Sequence, residues 1–171
     1  MRGRILSHGA LLLPLALLVS APGYRPTSHP LQVAGTISLV AKPNDHPQKG
    51  PDGALVFIGE SKGRNQSTGK PDFMDGADVT SADTASLVNG TGSHHGYLTM
   101  SKGSDKVTFK WNGQVTTTLG EDKKATSNFQ GTWTAVSGAG KYDGASGSGT
   151  YQGRFTSPTA SITEWKGEMG K

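Results

Sequence analysis

The chain has 171 residues, a formal net charge of +4, 25 glycines and no cysteine. The lack of cysteine excludes disulfide bonds, thiol nucleophiles and cysteine metal ligands. The basic residues are spread along the chain rather than gathered in a stripe with interleaved aromatic residues, which argues against nucleic-acid binding.

The N-terminus has the pattern of a secretory signal peptide. Two arginines within the first four residues precede the apolar run 10–19, and small residues follow that run. This predicts a leader over residues 1–23 and a secreted or periplasmic protein. We favour cleavage after Gly23 over cleavage after Ala21, because cleavage after Ala21 would leave Pro22 directly after the cleaved bond. The run is shorter than the ~20 residues of a membrane-spanning helix, which disfavours an uncleaved anchor and predicts no membrane span in the mature form.

The mature chain is expected to form one domain over residues 31–171, after a flexible, proline-rich lead-in at residues 24–30. Apolar and polar residues alternate over residues 31–39, the pattern of a half-buried strand. The following segment, residues 42–53, is rich in Pro, Gly, Asn and Asp and predicts a loop.

The middle of the chain is less regular. The apolar run 54–58 predicts a short strand covered on both faces, and the polar segment 60–76 predicts a long, mobile loop. Weaker strand patterns follow at residues 83–89 and 95–101, joined by a turn at residues 90–93.

Residues 106–119 contain two conflicting signals. Asn112-Gly113 is typical of a two-residue hairpin turn, but such a turn would divide the apolar residues between two faces. A single long strand with Gly113 at a bend or bulge keeps them on one face, so we prefer it. The residues that then share a side are Val107, Phe109, Trp111, Val115 and Leu119.

The C-terminal part repeats the strand pattern at residues 125–135, 149–155 and 159–169, with a glycine-dense corner at residues 138–147. Seven or eight strands of this kind form either a sandwich or a barrel. Glycines inside strands favour the barrel, because they permit sharp bending; they are Gly113, Gly131, Gly149 and Gly153. The sequence therefore predicts an all-β protein with a single antiparallel eight-stranded barrel.

The stretch from Gly131 to Gly153 resembles the allene oxide cyclase and dirigent superfamily. It contains Gly-Thr-Trp at 131–133 and the run GAGKYDGASGSGTYQG at 138–153. The resemblance extends over roughly residues 90–168, and it implies a calycin-like barrel. Members of that superfamily include a cyclase of unsaturated fatty-acid epoxides and proteins that direct coupling of phenolic radicals. No acidic residue of this chain aligns with the catalytic positions of those members, so the resemblance implies no catalytic residue here.

Three groups of polar residues are candidates for chemistry, and each has a simpler interpretation. His94-His95 lacks further ligands at metal-binding spacing and is interpreted as a polar turn. An acidic group without calcium-loop register is interpreted as a solvated loop; it comprises Asp72, Asp75, Asp78 and Asp83. Glu60 is the best carboxylate for a general base, whereas Glu164 and Glu168 are expected on a charged outer face. No metal or cofactor is predicted.

The aromatic residues of the strands are the main candidates for a binding site. They are expected to share the barrel interior: Phe109, Trp111, Phe129, Trp133, Tyr151, Phe155 and Trp165. An eight-stranded barrel is just wide enough for side chains to fill. We therefore expect a mainly filled core with a residual pocket at one mouth for a small apolar or aromatic ligand.

Two functions follow from this expectation. The first is a non-enzymatic exported barrel that binds a small hydrophobic ligand or serves as an interaction module. The second is an isomerase or cyclase, which requires an acidic or amide group inside the barrel beside the rings. Association of copies through the barrel sides is left open.

Overall fold

The computed structural model describes residues 30–42 and 47–170. The predicted signal peptide and nearly all of the lead-in lie outside the described residues. Within them, no helix is both long enough and apolar enough to cross a membrane. The described elements are β1 (Leu31–Ala41), β2 (Gln48–Lys49), β3 (Leu55–Ser67), β4 (Asp78–Val88), β5 (Thr91–Lys102), β6 (Asp105–Leu119), β7 (Ala125–Ala139), the 3₁₀ turn η1 (Gly140–Tyr142), β8 (Ser146–Phe155) and β9 (Ala160–Gly170).

Eight of these strands form a closed antiparallel barrel. From β3 to β9 each strand pairs with the next, β1 pairs with both β3 and β9, and the short β2 lies outside on β3. Gly35 of β1 closes the ring, because it pairs with Trp165 on one side and Ser67 on the other. The expectation of an all-β protein with an antiparallel eight-stranded barrel is confirmed, and the sandwich alternative is wrong.

The segment around Asn112-Gly113 is one strand, as expected. β6 pairs along its length with both β5 and β7, so that Asn112 lies between His95 and Thr132. Burial explains the outcome, since Val107, Phe109 and Val115 are all buried on one face. The register irregularity, however, lies between Thr108 and Phe109 rather than at Gly113. Leu119 is 75% exposed because the strand extends beyond the packed interior.

The predicted loop at residues 60–76 is wrong over its first half. β3 continues to Ser67, and its lumen face carries Gly63 and the fully buried Asn65. The alternation is present but consists of small and polar residues, so an apolar pattern does not reveal it. The run 54–58 is also not covered on both faces, since Ile58 is 72% exposed on the outer side.

The connection between β4 and β5 is tighter than expected. The turn consists of Asn89 and Gly90, both with positive φ (50° and 74°), instead of residues 90–93. Positive φ at two successive residues is the geometry that favours Asn-Gly in two-residue hairpins. The hairpin signal of this dipeptide therefore applies here, and not at Asn112-Gly113.

One end of the barrel is closed by side chains. The β3–β4 segment 68–77 folds across this end and buries Phe73, Met74 and Ala77. Phe73 contacts Tyr142 of η1 and Trp165 of β9, with ring centroids 5.1 and 5.9 Å apart. The opposite end, the mouth, is where β1, β4, β6 and β8 finish, and it leads to the space inside the barrel.

Candidate ligand-binding cavity

A cavity of about 170 Å³ lies between the packed end of the barrel and the mouth. All seven aromatic residues predicted to face the interior line it, and Phe155 borders it at the mouth with 44% of its surface exposed. The barrel is therefore filled at one end and hollow near the other. The predicted interior set is brought together; whether it binds a ligand stays a prediction.

Glycines on neighbouring strands make room for these rings. Gly113 and Gly131 lie side by side on β6 and β7, between His94 on β5 and Tyr151 on β8. A Cβ atom on either glycine would lie 2.5 Å from the Tyr151 hydroxyl. The Tyr151 ring therefore lies across two strands and reaches His94.

His94 and Tyr151 form a polar pair within the aromatic lining. The Tyr151 hydroxyl lies 3.0 Å from His94 Nε2, and His94 is 8% exposed. The imidazole also makes edge contacts with Trp111 and Phe129, at centroid distances of 4.9 and 5.6 Å. Burial, and secondly the charge of His95, lowers the pKa of His94 from 6.5 to about 4. Burial raises the pKa of Tyr151, so both groups are neutral at neutral pH.

Two of the tryptophans have free indole groups. Trp111 and Trp133 are paired in register on β6 and β7, and the Nε1 atom of each is buried without a hydrogen-bond partner among the described residues. Trp165 differs, because its Nε1 donates to Asn65 Oδ1 at 3.0 Å. An unsatisfied buried N–H is costly, so these two indole groups reduce the stability of the barrel interior.

Asp83 also lines the cavity. It lies on the lumen side of β4, between Gly59 of β3 and Gly96 of β5. It forms no hydrogen bond or ion pair with the described residues, and burial raises its pKa. The sequence-based interpretation of Asp83 as part of a solvated loop is therefore wrong.

The other members of that acidic group have separate places. Asp75 accepts a hydrogen bond from the Ser67 backbone N–H at 2.8 Å, and Asp78 pairs with Arg64 at 3.1 Å on the surface. Asp72 is exposed. Among the described residues, no group of three or more His, Asp or Glu side chains could hold a metal ion.

The glutamates lie on the outer face. Glu60 pairs with Lys42 at 2.6 Å, and that hydrogen bond and charge lower its pKa, so its candidacy as a lumen base is wrong. Glu164 and Glu168 accept hydrogen bonds from Gln152 and Gln32, as a polar outer face requires.

Sequence reasoning missed His94 and Asp83 as lumen residues. His94-His95 was interpreted as a polar turn, but both belong to β5 and alternate, with His94 inside and His95 exposed. The signal was available, because His94 has the same parity as the buried Met100, and Asp83 the same parity as the buried Val79. A search for alternating apolar residues does not detect either residue, because both side chains are polar.

The fold and the cavity together define a closed up-and-down β-barrel with an aromatic chamber, one carboxyl group and one neutral His–Tyr pair. Comparison of the chain with protein-family models, with curated proteins and with solved structures finds no match. The chemistry of the chamber must therefore carry the functional argument.

Proposed function

We propose that this protein is an exported, non-enzymatic barrel that binds a small hydrophobic ligand in the cavity at its mouth. The observation that carries the proposal is a space of about 170 Å³ bordered by seven aromatic residues. An apolar cavity of about 150 Å³ is sufficient to hold benzene. The size therefore suits a ligand with one ring or a short branched chain.

The calycin-like identity and the relationship to allene oxide cyclase and dirigent proteins belong to the same proposal. Barrel closure with eight strands supports them, as do the glycines that give Tyr151 and Trp133 room to lie across neighbouring strands. Export rests on the basic and apolar pattern of residues 1–23. Fractionation of the cells followed by mass determination tests export: we expect the protein in the extracellular or periplasmic fraction with the mass of residues 24–171, and recovery only from the cytoplasm with the leader attached would contradict it.

Ligand binding can be tested by exposing the purified protein to lipid and phenolic extracts and recording native mass spectra. A matched pair of substitutions locates the site. Thr163→Phe adds a ring on the lumen side of β9, whereas Thr132→Phe adds the same ring on the exposed face of β7. We expect a retained ligand on the parent protein and on Thr132→Phe, and its loss from Thr163→Phe. A ligand retained equally by both variants, or by neither variant nor the parent, would overturn the proposal.

An isomerase or cyclase is the second candidate, and the polar groups of the cavity favour it. Asp83, His94 and Tyr151 border the same space as the rings. A neutral imidazole can accept a proton from a bound substrate, and the Asp83 carboxylate beside it offers a second proton acceptor. If this candidate holds, Asp83→Asn and His94→Gln will abolish turnover of an unsaturated epoxide while the substrate still binds. Unchanged turnover in both variants would exclude this candidate.

A further inference from the structure

The Asp83 carboxylate is an unmatched charge beside the cavity. No described residue donates a hydrogen bond to it or pairs with it. A shielded carboxylate without a partner is unfavourable, because desolvation is not offset by an opposite charge. The burial of such a carboxylate is stabilised when a ligand supplies the missing positive charge.

The part of the chain that the structure describes supplies no cation to this space. The described residues that line the cavity include no lysine and no arginine, and His94 is held neutral. Asp83 also borders a shallow outer groove that contains Lys42, but Lys42 is already paired with Glu60 at 2.6 Å. Among the described residues that line the cavity, Asp83 is therefore the side chain available to pair with a cation.

One aromatic ring extends across the sheet towards this carboxylate. Asp83, Gly96 and Trp111 are aligned across β4, β5 and β6. A Cβ atom on Gly96 would approach Trp111 Cζ2 to 2.9 Å, so the indole extends over Gly96 towards β4. The faces of aromatic rings attract cations, and the attraction is strongest for tryptophan.

We propose that the ligand is a small organic cation: an ammonium group on an apolar or aromatic body. The ammonium group lies beside Asp83 and the ring of Trp111, and the body occupies the remaining aromatic chamber. This inference rests on the proposed ligand-binding function and narrows it to one chemical class. It disfavours fatty acids and other carboxylates, because a second negative charge in this lumen would have no counter-charge.

Isothermal titration with three probes of nearly equal shape tests the inference. The probes are 2-phenylethylammonium, the neutral 2-phenylethanol and the anionic phenylacetate, each titrated into the purified protein at pH 7.5. We expect the ammonium compound to bind at least about tenfold more tightly than the alcohol, with phenylacetate weakest. Added salt should weaken binding of the ammonium compound and leave that of the alcohol unchanged.

Two Asp→Asn variants assign the effect to one residue. Asp83→Asn should reduce the affinity for the ammonium compound to that for the alcohol, and should not change the affinity for the alcohol. Asp143→Asn changes an exposed carboxylate at the closed end of the barrel and should behave as the parent. If Asp83→Asn does not fold, the order of the affinities of the three probes for the parent protein still tests the inference.

The two proposals fail in different ways. Binding of the alcohol as tightly as the ammonium compound would overturn the cation inference and leave the hydrophobic site intact. The cation inference would also fall if Asp83→Asn kept the full preference for the ammonium compound. Absence of heat for all three probes at millimolar concentration would count against both proposals.

Discussion

His94 is a histidine that the fold holds neutral, and this has a consequence for stability. Its pKa is about 4 in the folded protein and 6.5 when unperturbed, so the unfolded chain binds the proton more readily. Between these values the unfolded state therefore gains from protonation. The contribution of neutral His94 to the free energy of unfolding is therefore fully present above pH 6.5 and is lost as the pH falls towards 4.

The size of this effect can be measured with His94→Gln. The pKa difference predicts that about 3 kcal/mol of the parent's unfolding free energy is lost between pH 6.5 and pH 4. Urea unfolding of both proteins at several pH values in this range gives the difference directly. The gap between the two stabilities should shrink as the pH falls, whereas parallel pH profiles would show that His94 is not held neutral by burial.

At the scale of elements, the glycines of β6 and β7 allow Tyr151 to lie across the sheet. In Gly131→Ala the new methyl group would lie 2.5 Å from the Tyr151 hydroxyl and closer still to the Asn112 carbonyl oxygen. Such overpacking should reduce the unfolding free energy by about 2 kcal/mol, as measured by denaturant titration. Gly59→Ala is the matched control, because its nearest neighbour would be Asp83 Oδ1 at 3.7 Å, an ordinary contact. Equal stabilities of the two variants would contradict the packing argument.

The β3–β4 segment that closes the barrel depends on one buried amide. Asn65 Nδ2 donates to the carbonyl oxygens of Phe73 and Met74, at 3.1 and 2.9 Å, and its Oδ1 accepts from Trp165. Asn65→Ala leaves all three groups buried without that partner, which should cost about 3 kcal/mol of unfolding free energy.

Limited proteolysis tests whether that loss is local. We expect Asn65→Ala to be cut within residues 68–77 faster than the parent protein. Asn128→Ala, on the exposed face of β7, is the control and should match the parent in both stability and cleavage. Cleavage of Asn65→Ala at the parent rate would mean that the amide does not hold the segment in place.

At the scale of the whole molecule, the barrel could be predicted because its aromatic and aliphatic residues follow a two-residue period. This period was sufficient to choose one long β6 over a hairpin at Asn112-Gly113. It was not sufficient for the second half of β3, where the lumen residues are Gly63 and Asn65. The closure by Phe73 and Met74 could not be predicted either, since a polar segment with Pro71 and Gly76 has no period, and only tertiary contacts bury its two apolar side chains.

The candidate site was predicted in part for the same reason. Its rings are apolar and follow the strand period, so they were found. Asp83 and His94 are polar residues on lumen faces, and their role depends on the absence of partners, which only the folded arrangement reveals. Closure of the sheet is what brings β4 and β8 close enough to border a common chamber.

The three tryptophans provide the most direct test of ligand binding in the chamber. Titration with 2-phenylethanol, monitored by NMR of the indole N–H groups, should give saturable shifts of the Trp111 and Trp133 signals. The Trp165 signal should move least, because its N–H is bonded to Asn65 at the packed end of the barrel. Three signals that stay unchanged, or that drift together without saturation, would contradict the account.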